Sequence, residues 1–386
     1  MDILYFDNAA TTWPKPPEIL KAMIRYQEEV GGSPGRSAHR LSIEAARIVY
    51  DAREAAAELF GIDDPFRIAF TKNATEGLNI VIHGLLKPGN HCITSGMEHN
   101  SVMRPLRAME TRGINLTVVP CQTDGTLNPA DVAAAIRLET RLIVITHASN
   151  ITGTLMPVVE LGTIARRHGI PLLVDAAQTA GALPINVEAM NIDMLAFTGH
   201  KSLFGPQGTG GLYIRKGWDE HIEPLMMGGT GSRSEFEEQP VFMPDKYESG
   251  TQNAIGLAGL GAGIAFIRDL GIAAIREKEM TLTQAFLDGA GVLKGVSLYG
   301  PLDVAKRTAV VSFNIDGLAP SETALRLDED YGILCRPGLH CAPLAHRTVG
   351  TFPQGTVRFS FGYYNTLDQV QQALKALEEI SRSVNK

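Results

Sequence analysis

The sequence predicts an α/β protein, with a large domain on a mainly parallel seven-stranded sheet and a smaller α+β domain. Three features predict it. Between about residues 65 and 215, seven short apolar runs alternate with stretches long enough for a helix, the pattern of strands joined by crossover helices. Several of the runs are apolar throughout, as in strands covered on both faces. Beyond about residue 260 the texture changes, and strand-like runs at 309–314 and 357–361 alternate with helical stretches.

Two helices open the chain, over 16–30 and 43–60, the second stopped by Gly61. Between them Gly31 to Arg40 (GGSPGRSAHR) is glycine-rich and basic, and as a linker it needs no further role. The seven strands are expected at 68–71, 91–95, 115–119, 142–146, 171–175, 193–197 and 211–214. Helices are expected between most of them, for example over 130–138 after Asn128 and 156–168 after Pro157. The run Gly256 to Gly263 does not fit G-x-G-x-x-G, follows no strand, and reads as small residues for close helix packing. The chain closes with a helix over 366–384, where Leu367, Val370, Leu374, Leu377 and Val384 recur at helical spacing behind a threonine N-cap. The large domain is placed at 15–260 and the small one at 1–14 with 261–386.

The 386 residues are 44% hydrophobic and 20% charged, enough to bury a large core without staples. Their formal net charge of −7 argues against the basic face that non-specific nucleic-acid binding needs. Four cysteines are too few for a disulfide scaffold, and no C-x-x-C pair points to structural zinc. The first residues lack the features of a signal peptide, and no apolar run approaches the ~20 residues that cross a bilayer. These features predict a cytoplasmic protein with no nucleic-acid or membrane partner and no metal.

Ligands of open α/β sheets bind at the carboxyl ends of the strands, so polar residues just after the apolar runs are the place to look. Four such ends stand out. In Phe70-Thr71-Lys72-Asn73-Ala74-Thr75-Glu76, Asn73 and Glu76 have capping-box spacing, and the N–H groups of Ala74 and Thr75 with the Thr75 hydroxyl suit a phosphate; simple capping explains the pattern as well. Asp175 closes a strongly apolar strand, where a buried acid needs a cation or donors; a protonated ring nitrogen or a following helix would serve. Lys201 follows a strand, beside Thr198 and His200 and ahead of a glycine-rich loop. Burial there would lower its pKa and make a neutral amine that forms Schiff bases. Arg336-Pro337-Gly338-Leu339-His340-Cys341 sets a cysteine beside a histidine, and a nearby cation favours the thiolate.

Taken in order, Asp7-Asn8-Ala9-Ala10-Thr11-Thr12, Glu98-His99-Asn100, Ser149 to Thr154 (SNITGT), Asp175 to Gln178 (DAAQ), Thr198 to Lys201 (TGHK) and Arg336 to Cys341 (RPGLHC) resemble the signature run of cysteine desulfurases. Those are class V aminotransferase-family enzymes of the fold-type I pyridoxal phosphate architecture. The segment around Cys341 resembles their SUF-type branch (group II). The resemblance implies that Lys201 carries pyridoxal phosphate and shuttles the substrate Cα proton. It implies that Asp175 pairs with the pyridine nitrogen, Gln178 with the phenolic oxygen, and that His99 stacks on the ring and assists proton transfer. Ala74, Thr75, Thr198 and His200 would hold the phosphate, with Thr251 reaching it from the partner subunit of a homodimer with shared active sites. Asn150 and Arg358 would bind the substrate, Arg358 through a bidentate grip on its carboxylate, with Asn8, His39 and Arg336 near the mouth of the site. L-Cysteine would become L-alanine as the Cys341 thiolate takes the sulfur, forming a persulfide that passes to an acceptor protein.

The chain departs from the usual pattern in three places. Lys72-Asn73-Ala74-Thr75 stands where Arg-Gly-Thr-Thr is usual, which removes one hydroxyl from the phosphate loop. Leu339 stands where a second histidine is common, and Tyr247 to Asn253 (YESGTQN) replaces Phe-Glu-Ala-Gly-Thr-Pro-Asn. Selenocysteine lyases share fold, cofactor and cysteine, so L-selenocysteine stays open as the substrate. A class V aminotransferase or lyase acting on another amino acid is the further alternative.

Overall fold

The computed structural model describes residues 3–35 and 37–384. The chain runs β1 (Leu4–Tyr5), α1 (Pro17–Arg25), α2 (Arg40–Phe60), β2 (Ile68–Thr71), α3 (Ala74–Leu85), β3 (His91–Ser95), α4 (Asn100–Glu110), β4 (Asn115–Val119), α5 (Pro129–Ala134) and β5 (Thr140–Thr146). It continues α6 (Val158–Arg167), β6 (Leu172–Asp175), β7 (Met194–Thr198), β8 (Gly210–Ile214), α7 (Ala254–Leu270) and α8 (Ile272–Gly291). It ends β9 (Val296–Tyr299), β10 (Val310–Ile315), α9 (Pro320–Tyr331), β11 (Ile333–Leu334), β12 (Arg336–Gly338), α10 (Pro343–Thr348), β13 (Thr356–Ser360) and α11 (Leu367–Val384).

Seven strands form the large sheet in the order β2-β8-β7-β6-β5-β3-β4. All pairings are parallel except the two made by β8, which is antiparallel to both neighbours. The period-2 geometry of a strand sends alternate side chains to opposite faces, and both faces here are apolar. Ile143, Ile145, Leu172, Val174, Leu195 and Phe197 enter one core, under α2, α6 and α7. Leu142, Val144, Leu173, Met194 and Ala196 enter the other, under α3 and α4. That two-sided burial is why these runs read as continuously apolar.

A second sheet, β12-β13-β10-β9, is antiparallel throughout. Its core is aromatic: Phe6, Phe286, Phe313, Phe359 and Phe361 pack with ring centroids 4.9 to 6.4 Å apart. The N-terminal strand β1 pairs in parallel with β11, so the start of the chain is tied to its last third. Helix α7 packs on α1 and α2, with Gly259 against Met23 and Gly261 against Ala52.

Two local expectations change. The helix expected over 130–138 ends at Ala134, because the Thr140 hydroxyl accepts from Arg137 N–H (2.8 Å) and turns the chain into β5; Leu138 is 88% exposed and has no core face to extend a helix. The second long helix starts at Arg40, and His39 is its N-cap, its side chain accepting from Ser42 N–H at 3.2 Å.

Candidate active site

The carboxyl ends of β2, β3, β5, β6 and β7 open into one cleft. Eleven of the residues expected at the site line it: Ala74, Thr75, His99, Asn150, Asp175, Gln178, Thr198, His200, Lys201, Arg336 and Arg358.

The turn after β7 carries Lys201. Gly199 sits so close to the Thr209 side chain that a β-carbon there would collide with it. The turn is latched by the N-terminal motif: His200 C=O accepts from Thr12 N–H (3.1 Å), the Thr11 hydroxyl (3.1 Å) and Lys15 Nζ (3.1 Å), and Lys201 C=O accepts from the Thr12 hydroxyl (2.9 Å). Burial lowers the Lys201 amine to about 8; Arg358 and Arg336 push the same way, against Asp175. Asp175 is buried at the end of β6, and burial raises its carboxyl while the Ala177 N–H (2.9 Å) and Lys201 oppose the shift. No helix follows it, so helix capping does not account for this acid.

His99 is the N-cap of α4. Its Nδ1 accepts from Ser101 N–H at 3.0 Å and lies 2.9 Å from the Ser101 hydroxyl, so the neutral ring carries its proton on Nε2. Burial lowers the ring to about 4, with Lys201 and three arginines adding to the effect. Glu98 anchors this corner: its carboxyl accepts from the Ser95 hydroxyl (2.6 Å) and Thr146 N–H (2.9 Å), tying the end of β3 to β5. Burial pushes Glu98 up to about 8, against the hydrogen bonds from Ser95 and Thr146.

Ser101 went unremarked in the sequence. It lines the cleft, and its hydroxyl lies 2.8 Å from that of Thr75, so α3 and α4 present adjoining hydroxyls at their N-termini. Its position two residues after His99, at the start of a helix, was the available signal. Asn73 caps α3 through Glu76 N–H (3.0 Å) as expected, but the Glu76 carboxylate reaches Lys72 N–H (2.6 Å) and not the cap's own N–H.

Several buried polar atoms here have no hydrogen-bond partner among the described residues: Thr198 Oγ1, His200 Nδ1, Asn150 Oδ1 and Arg358 Nε. Such atoms are uncommon in folded proteins and cost ~1–3 kcal/mol each unless something binds them. Thr198 and His200 adjoin the α3 N-terminus, where dipole and free N–H groups favour an anion. A lysine, a buried acid and this anion cradle together fit an anionic aromatic cofactor carrying an aldehyde.

Four expected residues lie elsewhere. Asn8 ties the N-terminal segment to β13, donating to Ser360 C=O (2.9 Å) and Asn365 Oδ1 (3.2 Å). His39 is exposed at its helix cap, and Thr251 is exposed in a separate depression with Lys72 and Glu76. Cys341 is exposed at the mouth, its sulfur 3.5 Å from Arg336 Nη2, so it meets the cleft through Arg336. Two expectations are corrected. His340 is not the cation beside the thiol: its ring turns inward and burial drives it down to about 2. Arg358 does not present an open fork. The guanidinium is 1% exposed and needs a counter-ion; Asp7 supplies it at 2.6 Å on Nη2, and Nη1 donates to Asn150 C=O at 3.1 Å. Nε has no partner among the described residues.

The Aminotransferase class-V family profile matches residues 4–373, and the chain belongs to that family. Within it, the chain is similar to proteins named as cysteine desulfurases. A protein of Methanothermobacter thermautotrophicus described as "Probable cysteine desulfurase" is 37% identical over 384 residues, covering 98% of this chain and 95% of its own. The apo structure of a cysteine desulfurase from Thermococcus onnurineus NA1 superposes with a TM-score of 0.92 at 36% identity, covering 99% and 95%. A cysteine desulfurase from Escherichia coli gives 0.88 at 27% identity, covering 98% and 95%.

Proposed function

We propose that the protein is a pyridoxal phosphate-dependent cysteine desulfurase, converting L-cysteine to L-alanine and taking the sulfur onto Cys341 as a persulfide for an acceptor protein. One observation carries the reading: Arg336 lines the lysine-bearing cleft and also holds the exposed Cys341 sulfur, so nucleophile and cleft share a side chain.

Lys201, Asp175 and the cradle of Thr75, Thr198 and His200 would hold pyridoxal phosphate, which would supply the electron sink that makes the substrate Cα–H acidic. Asp175, pushed up by burial, would be the residue to pair with a cationic ring nitrogen. Lys201, poised near 8, is placed to take and return the Cα proton. His99 keeps its Nε2 proton, and Gln178, which donates to Ala9 C=O at 3.2 Å, lines the same wall. Asn150 and Arg358 orient the amino acid. The Cys341 thiolate attacks the substrate sulfur: an S–S bond forms, the C–S bond breaks with its electron pair left on carbon, and that carbon gains a proton. Cysteine plus a thiol thereby become alanine plus a persulfide, with no external oxidant.

Assembly and location belong to the same proposal. Thr251 lies away from its own chain's cleft, and exposed apolar side chains such as Leu20, Ile43, Met227 and Val241 support a homodimer in which Thr251 serves the neighbouring phosphate. Four unpaired cysteines, one of them exposed, suit a reducing cytoplasm. Residues 15–260 would form the cofactor domain and 1–14 with 261–386 the smaller one.

The test is alanine formation from L-cysteine and from L-selenocysteine, under a reductant, by wild type and Cys341→Ser. Good use of cysteine that collapses in the variant is the expected result. Efficient use of selenocysteine alone makes the protein a selenocysteine lyase. No alanine from either, with variant and wild type alike, redirects the search to other amino acids.

A further inference from the structure

The segment from Arg336 to Thr351 holds two histidines that the proposed chemistry does not use. His340 and His346 are 2% and 0% exposed, with stacked rings 5.5 Å apart. Their contacts determine where each ring proton sits. His340 Nε2 lies 2.8 Å from the Arg336 carbonyl oxygen, which can only accept, so Nε2 carries the proton. His340 Nδ1 is then bare in the neutral ring, and His346 Nε2, 3.3 Å away, donates to it. His346 Nδ1 is left to accept from the Thr351 hydroxyl at 2.6 Å. The bonds run one way, from Thr351 through His346 and His340 to the Arg336 carbonyl. Burial keeps both rings neutral, lowering His346 to about 4 and His340 further, where Arg358 and Arg336 add to it.

This chain of bonds ends on the backbone of the residue whose guanidinium touches the Cys341 sulfur. His340 and Cys341 both have left-handed backbones, with φ of 49° and 58°. Such non-glycine positions cost ~1–3 kcal/mol each and persist only where the surroundings over-determine them. Here they are over-determined. The His340 ring is bonded at both nitrogens, His340 C=O accepts from Asn150 Nδ2 (2.8 Å), and Cys341 C=O accepts from Asn100 N–H (2.8 Å). We infer that His346 and Thr351 are positioning residues: they orient the His340 ring, which holds the strained turn so that the Cys341 thiol faces outward beside Arg336. Its consequence for turnover rests on Cys341 being the sulfur acceptor.

The experiment uses the cofactor-loaded protein with His346→Leu, which removes the donor to His340, and His346→Gln, which keeps one. Alkylation of Cys341 by iodoacetamide is followed by mass spectrometry across pH, beside alanine formation and the visible spectrum. In His346→Leu the alkylation profile shifts and alanine formation falls roughly tenfold, the scale of one lost buried hydrogen bond, while the spectrum and cofactor content match wild type; His346→Gln recovers most of the loss. Unchanged alkylation and alanine formation in His346→Leu overturn the inference. A shifted alkylation profile without any role of Cys341 in turnover overturns the desulfurase reading and leaves the positioning role standing. Should His346→Leu not fold, nitrogen chemical shifts of the two rings in wild type decide. Both rings neutral with the proton on Nε2 down to about pH 5, where a free imidazole is mostly cationic, support the inference; a cationic ring or an Nδ1 proton overturns it.

Discussion

At the floor of the cleft, Thr198 Oγ1 and His200 Nδ1 are buried without partners, Asp175 is a raised carboxyl, and Lys201 a lowered amine. In the cysteine turn, the histidine nitrogens and the carbonyls of residues 336, 340 and 341 are all paired within the chain, and the exposed Cys341 keeps its sulfur beside Arg336. The two regions are joined by Arg336 and by Asn150, which lines the cleft and donates to the His340 carbonyl. On the proposed reading the floor is organised around a bound cofactor, which would meet its unmade bonds and perturbed charges. The turn is organised by the chain itself, which suits the accessible nucleophile that the proposed function makes of Cys341.

The largest effect should come from breaking the floor. Lys201→Ala is expected to reduce turnover to background and to remove the visible absorbance of the lysine-bound cofactor; a retained absorbance would place the attachment elsewhere. The pH dependence in wild type follows from the same amine. Only the neutral form is a nucleophile, and the folded chain lowers Lys201 from 10.5 to about 8. Capture of the cofactor by apoprotein should therefore speed up as pH rises through about 8 and level off above it. A rate still climbing toward the ordinary lysine value would remove this account.

Arg358→Lys sharpens the comparison by touching substrate and leaving the thiol alone. A charge-assisted hydrogen bond is worth about 1.5–3 kcal/mol, so KM for L-cysteine should rise about 10- to 100-fold, more than kcat falls. An unchanged KM would mean that Asp7 keeps the guanidinium to itself. The smallest effect is expected from Ser101→Ala. Losing one neutral hydroxyl beside Thr75 should weaken cofactor binding about 2- to 10-fold in a titration of apoprotein, and equal affinity would leave Ser101 as a cap of α4 only.

The contrast also explains what could be read in advance. All seven strands of the large sheet were legible, because a strand buried on both faces needs an unbroken apolar run and little else in the chain resembles one. The polar residues just after those runs could be picked out as candidates, although capping explained some of them as well, and Asn73 does cap α3. What surrounds them was less legible. Ser101 acquires its meaning from Thr75, 26 positions away in sequence, and the Asp7 to Arg358 pair spans 351. His39 shares a motif-like setting with the site yet caps a helix, because a single chain carries no sign of which loops meet.

By itself the sequence determined the order of the strands along the chain, which follows from local polarity, while its ordered motifs carry the resemblance to a family that singles out the lysine, the acid and the cysteine. Tertiary structure decided which neighbours those residues have: that Asn8 serves the scaffold, that Arg358 is already half engaged, and that His340 turns in while Cys341 turns out. Adjacent residues in a turn diverge according to backbone dihedrals and distant partners, and hydrogen bonds between segments hundreds of residues apart leave no periodicity to read.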